Sequence, residues 1–265
     1  MRHAENFFTL ITAATAQWHD REWLERHLDE GLMLTDHTDE FSTLIVTGPK
    51  SREVLKRAGF EADFDLPWLS HQPARLGETG VALARVSFAG ELGWEVHAHN
   101  ADIPACYDAL IAAGATPFGM YALNSMRLEK GYRAWKGDLS TDYTVLSAGL
   151  GRFIKWDKPE FRGKAALENE RQQGSGRAFA TLTVEANGVD APYMANVWKG
   201  GRIVGEVTSG GFGYRTGQSI ALASIATEHA EPGTALEVEI FGDRRKATVA
   251  DGQALWDAGN ERVRA

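Results

Sequence analysis

The chain has 265 residues and a formal net charge of −8, and hydrophobic residues make up 43% of it, which predicts a folded globular protein rather than a disordered one. The negative balance argues against a nucleic-acid partner, because phosphate neutralisation needs a basic surface. A single cysteine, Cys106, cannot form an internal disulfide and favours a reducing compartment. Without an apolar run of membrane-spanning length or a signal-peptide start, we expect a cytoplasmic protein with no membrane partner.

The first part of the chain predicts an α+β arrangement, with helices on one face of a mostly antiparallel sheet. Residues 7–12, rich in β-branched and aromatic side chains, predict a strand near the first residue. Asp20 is the expected N-cap of the next helix. In chain order, the later predicted elements are helix 20–34, strand 43–47, helix 51–58, strands 81–86 and 93–97, and helices 103–113 and 118–130. Cys106 lies on the apolar stripe of helix 103–113 and is interpreted as a core thiol.

The amino-acid composition of the sequence changes near Gly174. Residues 172–176 form a polar, glycine-containing stretch that predicts a linker. Beyond it, short β-rich segments separated by glycine-rich turns predict a small antiparallel barrel, with strands at 179–184, 202–208, 219–225 and 236–240. We therefore expect two domains, residues 1–173 and residues 174–265.

Several common functional motifs are absent. There is no phosphate-binding loop, and the glycines at 210–213 lack the spacing of a dinucleotide fingerprint. His97 and His99 share one face of a predicted strand, but two ligands alone do not hold a metal ion. No metal site is expected.

Glu91 lies in a turn between two predicted strands, flanked by Gly90 and Gly93. A carboxylate held at such a junction can accept two parallel N–H bonds from a planar heterocycle. The alternative interpretation is a solvated turn residue.

The segment that ends helix 118–130 offers a cation and two aromatic rings. Arg127 lies beside the face formed by Leu123 and Met126 and could reach a pocket, although a surface arginine paired with a nearby acid fits equally well. Tyr132 and Trp135 offer faces for stacking, and core filling is the alternative for both. The glycine-rich stretch 205–213 predicts a loop approached closely by another backbone or a ligand, or else a barrel corner.

Three motifs occur in one order and spacing, and together they resemble the glycine cleavage T-protein (aminomethyltransferase) superfamily. They are Gly-Glu-Leu-Gly-Trp-Glu at 90–95, Met-Arg-Leu-Glu-Lys-Gly at 126–131 and Val-Thr-Ser-Gly-Gly at 207–211. Residues 148–167 are most similar to the folate-binding C-terminal half of dimethylglycine and sarcosine dehydrogenases. The resemblance covers nearly the whole chain.

The resemblance implies a tetrahydrofolate site. Glu91 matches the glutamate that holds the pterin edge, and Arg127 matches an arginine of the folate pocket. Thr12 and Ala13 match a segment that lines the cofactor, and Tyr132 and Trp135 are expected to contribute stacking faces. Phe88 stands where relatives often have tyrosine, so a hydroxyl contact from that position is lost.

The resemblance also implies parts that this sequence does not contain. In the family, the strand matching residues 7–12 follows a segment that carries the catalytic aspartate, so no catalytic residue is assigned here. The flavin domain of the dehydrogenases is absent as well, and FAD is expected only on a missing domain or on a flavoprotein partner chain. We expect the chain to be incomplete by itself.

The expected function is tetrahydrofolate-dependent one-carbon transfer, as part of a dimethylglycine or sarcosine dehydrogenase-like N-demethylating system. One alternative is a non-catalytic subunit that binds folate or docks a flavoprotein. Another is a folate-dependent demethylase of methoxy or sulfonium substrates.

Overall fold

A computed structural model describes residues 1–265. Its strands are β1 (Arg2–Ala4), β2 (Phe7–Phe8), β3 (Phe41–Thr47), β4 (Phe60–Glu61), β5 (His71–Leu76), β6 (Thr79–Ala84), β7 (Gly93–His99), β8 (Arg177–Val184), β9 (Asn196–Lys199), β10 (Arg202–Gly213), β11 (Gln218–Ala226), β12 (Ala235–Ile240) and β13 (Asp243–Val249). Its α-helices are α1 (Gln17–Arg26), α2 (Ser51–Arg57), α3 (Ile103–Ala112), α4 (Met120–Glu129), α5 (Lys164–Gln173) and α6 (Glu261–Arg264). All of these helices are too short or too polar to cross a lipid bilayer.

The chain forms two compact units. The first unit contains Met1–Ser87, Glu91–Phe118 and Glu261–Ala265, and the second contains Phe88–Gly90 and Gly119–Asn260. The domain boundary near Gly174 remains a prediction.

The first unit is built on a five-stranded antiparallel sheet in the order β3-β7-β6-β5-β4. Side chains alternate along each strand, so β7 buries Trp94 and Val96 on one face. Leu55 of α2 and Cys106 of α3 belong to the same core, and both are fully buried. This core confirms the predicted α+β class and the interpretation of Cys106 as a core thiol.

The second unit contains a closed antiparallel barrel in the strand order β10-β11-β8-β13-β12-β9, as predicted from its short β-rich segments. Fully buried aliphatic side chains fill its interior, among them Leu182, Val197, Val207 and Val238. The stretch predicted as a glycine-rich loop at 205–213 lies inside strand β10 instead. The expectation of a close backbone approach is correct, because a Cβ at Gly210 would lie 2.0 Å from the carbonyl oxygen of Ala191.

Two predictions near the first residue are wrong. The predicted strand at residues 7–12 is reduced to Phe7–Phe8, which pairs only with the three-residue strand β1. The predicted helix 20–34 is α1, which begins at Gln17 after Ala16, so Asp20 is not its N-cap. It ends at Arg26 and buries none of its residues, and the chain beyond it turns at Gly31 with a φ of 89°. Apolar spacing alone does not extend a helix that has no surface to pack against.

The sequence analysis also missed several elements. Strand β5 contains Pro73, and β13 begins with the charged run 243–246, so neither resembles a buried strand in composition. Helix α5 occupies the residues just before and within the start of the predicted linker, and its ten residues include none that are buried. Pairing with neighbouring strands, rather than local composition, determines β5 and β13.

Candidate functional site

Glu91 lies two residues before strand β7 in the first unit. The backbone packs closely here, since a Cβ at Gly93 would lie 2.8 Å from the Cβ of Ser87. The Glu91 side chain is 14% exposed, and its Oε2 lies 4.0 Å from Nη1 of Arg262. The carboxylate is therefore largely buried beside a cation, in contrast to a freely solvated turn residue.

A buried arginine anchors the segment that carries Arg262. Arg85 is 4% exposed, and its Nη2 donates to the carbonyl oxygens of Ala265 at 2.5 Å and Val263 at 3.4 Å. The Val263 side chain is itself buried. Burial lowers the pKa of Arg85. Arg85 thus holds α6, and with it Arg262, in the first unit.

Thr12 and Ala13 lie in irregular backbone between β2 and a short 3₁₀ turn at Ala14–Ala16. The Ala13 carbonyl accepts a hydrogen bond from the Ala16 amide at 2.8 Å, and Thr12 is exposed. Their assignment to the folate site stays a prediction.

Arg127, in the second unit, is buried inside a hydrogen-bond network. Its Nε donates to Asn124 Oδ1 at 2.8 Å, its Nη2 donates to Ser209 Oγ at 2.8 Å, and its Nη1 donates to the Tyr132 carbonyl at 3.0 Å. The same Nη1 lies 2.6 Å from Asp138 Oδ2, and the two side chains are 5% and 0% exposed. Burial lowers the pKa of Arg127, and the Asp138 carboxylate opposes that shift. Arg127 is paired with an acid, as one interpretation proposed, but not at the surface.

Asp138 is the residue of this network that sequence reasoning missed. Its carboxylate also accepts hydrogen bonds from the Ala134 amide at 2.8 Å, the Thr208 hydroxyl at 2.5 Å and the Ser209 hydroxyl at 2.9 Å. The available signal was its place after Gly137, whose Cβ would lie 2.8 Å from the Thr208 carbonyl oxygen. A glycine followed by an acid is too common in turns to identify a buried pair.

Tyr132 and Trp135 lie in the turn of residues 132–139, which this network holds. The half-buried Tyr132 ring lies nearly parallel to the ring of Phe88, with 6.2 Å between the centroids. Burial raises the pKa of Tyr132. Trp135 is 38% exposed and bridges to Leu139. A stacking role for either ring towards a planar ligand remains a prediction.

The other two charged residues of the motif at 126–131, Glu129 and Lys130, form hydrogen bonds within the second unit. Glu129 is 1% exposed and accepts from the backbone amides of Arg215 at 2.6 Å and Thr216 at 3.0 Å. Lys130 Nζ donates to the Asp257 carbonyl at 2.6 Å and to Asn260 Oδ1 at 3.0 Å. Arg127 and Glu129 therefore serve different networks, as expected for residues two apart on a helix.

These residues suit binding rather than metal or thiol chemistry. Three His, Cys, Asp or Glu side chains are nowhere grouped so that they could hold a metal ion. Burial raises the pKa of Cys106, which keeps the sulfur in its unreactive thiol form. Glu91 supplies an acceptor for N–H groups, and Phe88, Tyr132 and Trp135 supply aromatic faces.

Two family models match consecutive parts of the chain. The model described as the GCVT N-terminal domain matches residues 1–158, and the model described as the glycine cleavage T-protein C-terminal barrel domain matches residues 177–254. The second match coincides with the strands of the closed barrel.

Curated relatives include two kinds of enzyme. The chain is 36% identical over 252 residues to the mitochondrial dimethylglycine dehydrogenase of Rattus norvegicus, covering 91% of this chain and 29% of that protein. It is 34% identical to the aminomethyltransferase of Picosynechococcus, covering 91% of this chain and 67% of that protein. A third relative, the mitochondrial sarcosine dehydrogenase of Homo sapiens, is 32% identical and is covered over 26% of its length.

A solved structure shares the fold. The glycine cleavage system aminomethyltransferase T from Bartonella henselae matches with a TM-score of 0.79 and 24% identity, covering 90% of this chain and 66% of that one. The chain spans less than a third of the dehydrogenases and about two thirds of the aminomethyltransferases. With a family model covering more than half of its residues, the chain belongs to the glycine cleavage T-protein (aminomethyltransferase) family.

Proposed function

We propose that this chain binds tetrahydrofolate and serves in one-carbon transfer from an N-methyl amine, within a dimethylglycine or sarcosine dehydrogenase-like system. The observation that carries the proposal is the placement of Glu91, a largely buried carboxylate just before β7, within the motif that resembles the pterin-holding segment. The dehydrogenase relatives support the choice of an N-methyl amine as the one-carbon source.

The residues present fit the chemistry of a reduced folate. A pterin edge carries neighbouring N–H groups, and a carboxylate such as Glu91 accepts them in parallel with charge-assisted hydrogen bonds. Flat rings gain affinity by stacking on aromatic side chains, which Tyr132 and Trp135 provide in the second unit. Lys130 and Arg127 are each engaged by protein acceptors, so the proposal assigns the contact with the pterin edge to Glu91.

The bound folate would supply the nitrogens that receive a carbon at the oxidation level of formaldehyde. The contribution of this chain is to hold the heterocycle in one orientation, because fixing two reacting groups removes much of the entropic barrier. Glu91, in the first unit, would orient the ring by its edge. The group that removes the proton during transfer is not assigned among these residues.

Oxidation of the amine itself needs an acceptor for two electrons. Protein side chains of this kind do not accept an electron pair, and a flavin commonly does so in amine oxidation. We therefore place that step on a flavoprotein domain or partner chain that delivers the iminium or formaldehyde equivalent. The chain's own role begins with capture of the carbon.

A product assay tests this function. The purified chain is incubated with tetrahydrofolate, an N-methyl amine and a flavoprotein amine dehydrogenase, and methylene-tetrahydrofolate is measured against free formaldehyde. The proposal predicts a higher methylene-tetrahydrofolate yield with the chain than without it, and a smaller increase with Glu91→Gln. Binding of tetrahydrofolate without any increase in product would favour a non-catalytic folate-binding subunit and contradict the transfer function.

A further inference from the structure

We infer that Arg127 and Asp138 are positioning residues, which fix the turn of residues 132–139 so that Tyr132 and Trp135 present their rings to folate. The inference rests on the proposed function and extends it to residues that do not themselves touch the ligand. It also assigns to Arg127 a role different from direct binding of the folate tail.

The donors of Arg127 are nearly all used within the protein. A guanidinium has five N–H groups. Arg127 donates four hydrogen bonds, to Asn124, Tyr132, Asp138 and Ser209. Two parallel donors are needed for bidentate recognition of a carboxylate, and that pair is no longer available. The carboxylates of the folate tail therefore find no available pair of parallel guanidinium donors at Arg127.

The Arg127–Asp138 ion pair holds the backbone of the turn through two hydrogen bonds. Arg127 Nη1 donates to the Tyr132 carbonyl at 3.0 Å, and Asp138 Oδ2 accepts from the Ala134 amide at 2.8 Å. The Tyr132 carbonyl and the Ala134 amide lie on either side of Arg133, and Ala134 directly precedes Trp135. The turn also holds Lys136 at a φ of 71°, a conformation that side-chain-bearing residues rarely adopt without surrounding support.

The same ion pair connects the turn to strand β10 through hydrogen bonds. Thr208 and Ser209 of β10 both donate hydroxyl hydrogen bonds to Asp138. The turn backbone lies directly on this strand, since a Cβ at Gly137 would lie 2.8 Å from the Thr208 carbonyl oxygen. Strand β10 is part of the closed barrel, so the barrel sets the position of Tyr132 and Trp135.

A charged pair suits this role better than it suits stabilisation. Two apolar residues of similar volume often replace a buried ion pair without loss of stability, because both charges pay a large desolvation penalty. Such a replacement cannot bond the Tyr132 carbonyl or the Ala134 amide. Stability and turn geometry can therefore be separated by mutation.

The test compares Asp138→Asn with the double variant Arg127→Met, Asp138→Leu in the full chain. Titration calorimetry uses tetrahydrofolate and tetrahydropteroate, which has the same ring system but lacks the glutamate tail. We expect both variants to bind both ligands at least tenfold more weakly, with the loss equal for the two ligands. A loss confined to tetrahydrofolate would show that Arg127 contacts the tail and would overturn the inference.

A barrel-core variant supplies the matched control. Leu236→Ala removes a buried core side chain of β12, a barrel strand that does not pair with β10. It should lower the melting temperature yet leave folate affinity within twofold of wild type at temperatures where it is folded. If affinity instead follows melting temperature across all variants, the pair acts only through stability and the inference is wrong.

A measurement without ligand keeps this inference distinct from the proposed function. Hydrogen–deuterium exchange should be at least tenfold faster in the peptide covering 132–139 of Asp138→Asn, with unchanged exchange in strands β5 and β6. Unchanged exchange in that peptide overturns the positioning role. Failure of the wild-type chain to bind either ligand, with the exchange result as expected, would refute the proposed function and limit the pair to holding the turn.

Discussion

The rings of Phe88 and Tyr132 lie within 15° of parallel, with their centroids 6.2 Å apart, although the two residues are 44 positions apart in the sequence. Phe88 lies two residues before the motif at 90–95, and Tyr132 immediately follows the motif at 126–131. The stack therefore packs together two distant parts of the sequence inside the second unit.

Replacing Tyr132 by alanine should reduce both stability and folate affinity, because the ring is lost from the stack. Aromatic pairs contribute about 0.5–1.5 kcal/mol beyond the area that they bury. Tyr132→Phe retains the ring and should unfold in urea close to wild type. The comparison of the two urea midpoints checks the prediction, and equal destabilisation by both variants would show that the hydroxyl, rather than the ring, matters.

Glu91→Gln should weaken tetrahydrofolate binding while leaving the fold intact. Loss of charge-assisted hydrogen bonding costs about 1.5–3 kcal/mol, or roughly ten- to hundredfold in affinity. Glu78→Gln is the matched control, because the Glu78 side chain is fully exposed in a turn. Calorimetry should separate the two variants; unchanged affinity in Glu91→Gln removes this residue from the site.

The elements that local sequence predicted well are those whose side chains match one buried face. Strand β7 covers the predicted residues 93–97, and helix α3 buries Cys106, as predicted, together with Leu110. Strand β13 was missed because its charged residues face outward and its pairing with β8 and β12 comes from distant parts of the chain. Tertiary pairing of this kind outweighs local propensity.

The candidate site shows the same limit. Glu91 and Tyr132 are candidates that the sequence predicts, whereas Asp138 is not. Its role depends on hydroxyls of Thr208 and Ser209 that lie about 70 residues further along the chain. Contacts across such a separation are set by the closure of the barrel, which no local pattern describes.

Cys106 should resist alkylation in the folded protein and should make stability fall at high pH. Burial raises the pKa of its thiol above the ordinary value of 9.0, so the unfolded chain loses this proton at a lower pH than the folded chain. Above pH 9 the unfolded state binds fewer protons, and the free energy of unfolding decreases. The pH dependence of urea unfolding in wild type and Cys106→Ala measures the effect, which the variant should lack. Rapid alkylation of the native chain would contradict the assignment.

Limited proteolysis should cut first between Gln172 and Arg177. Helix α5 ends at Gln173, Gly174 has a φ of 82°, and β8 begins at Arg177, so the intervening backbone is short and exposed. Mass spectrometry of the early fragments should show one fragment ending and another beginning within this interval. Initial cleavage elsewhere, with this interval protected, would place the domain boundary at another position.

The most direct measurement of the central claim is titration of the wild-type chain with tetrahydrofolate by isothermal calorimetry, with Glu91→Gln in parallel. The account predicts saturable binding with one site per chain, weakened about ten- to hundredfold in the variant. Absence of binding by a chain that is folded by circular dichroism, or equal affinity for both proteins, would contradict it.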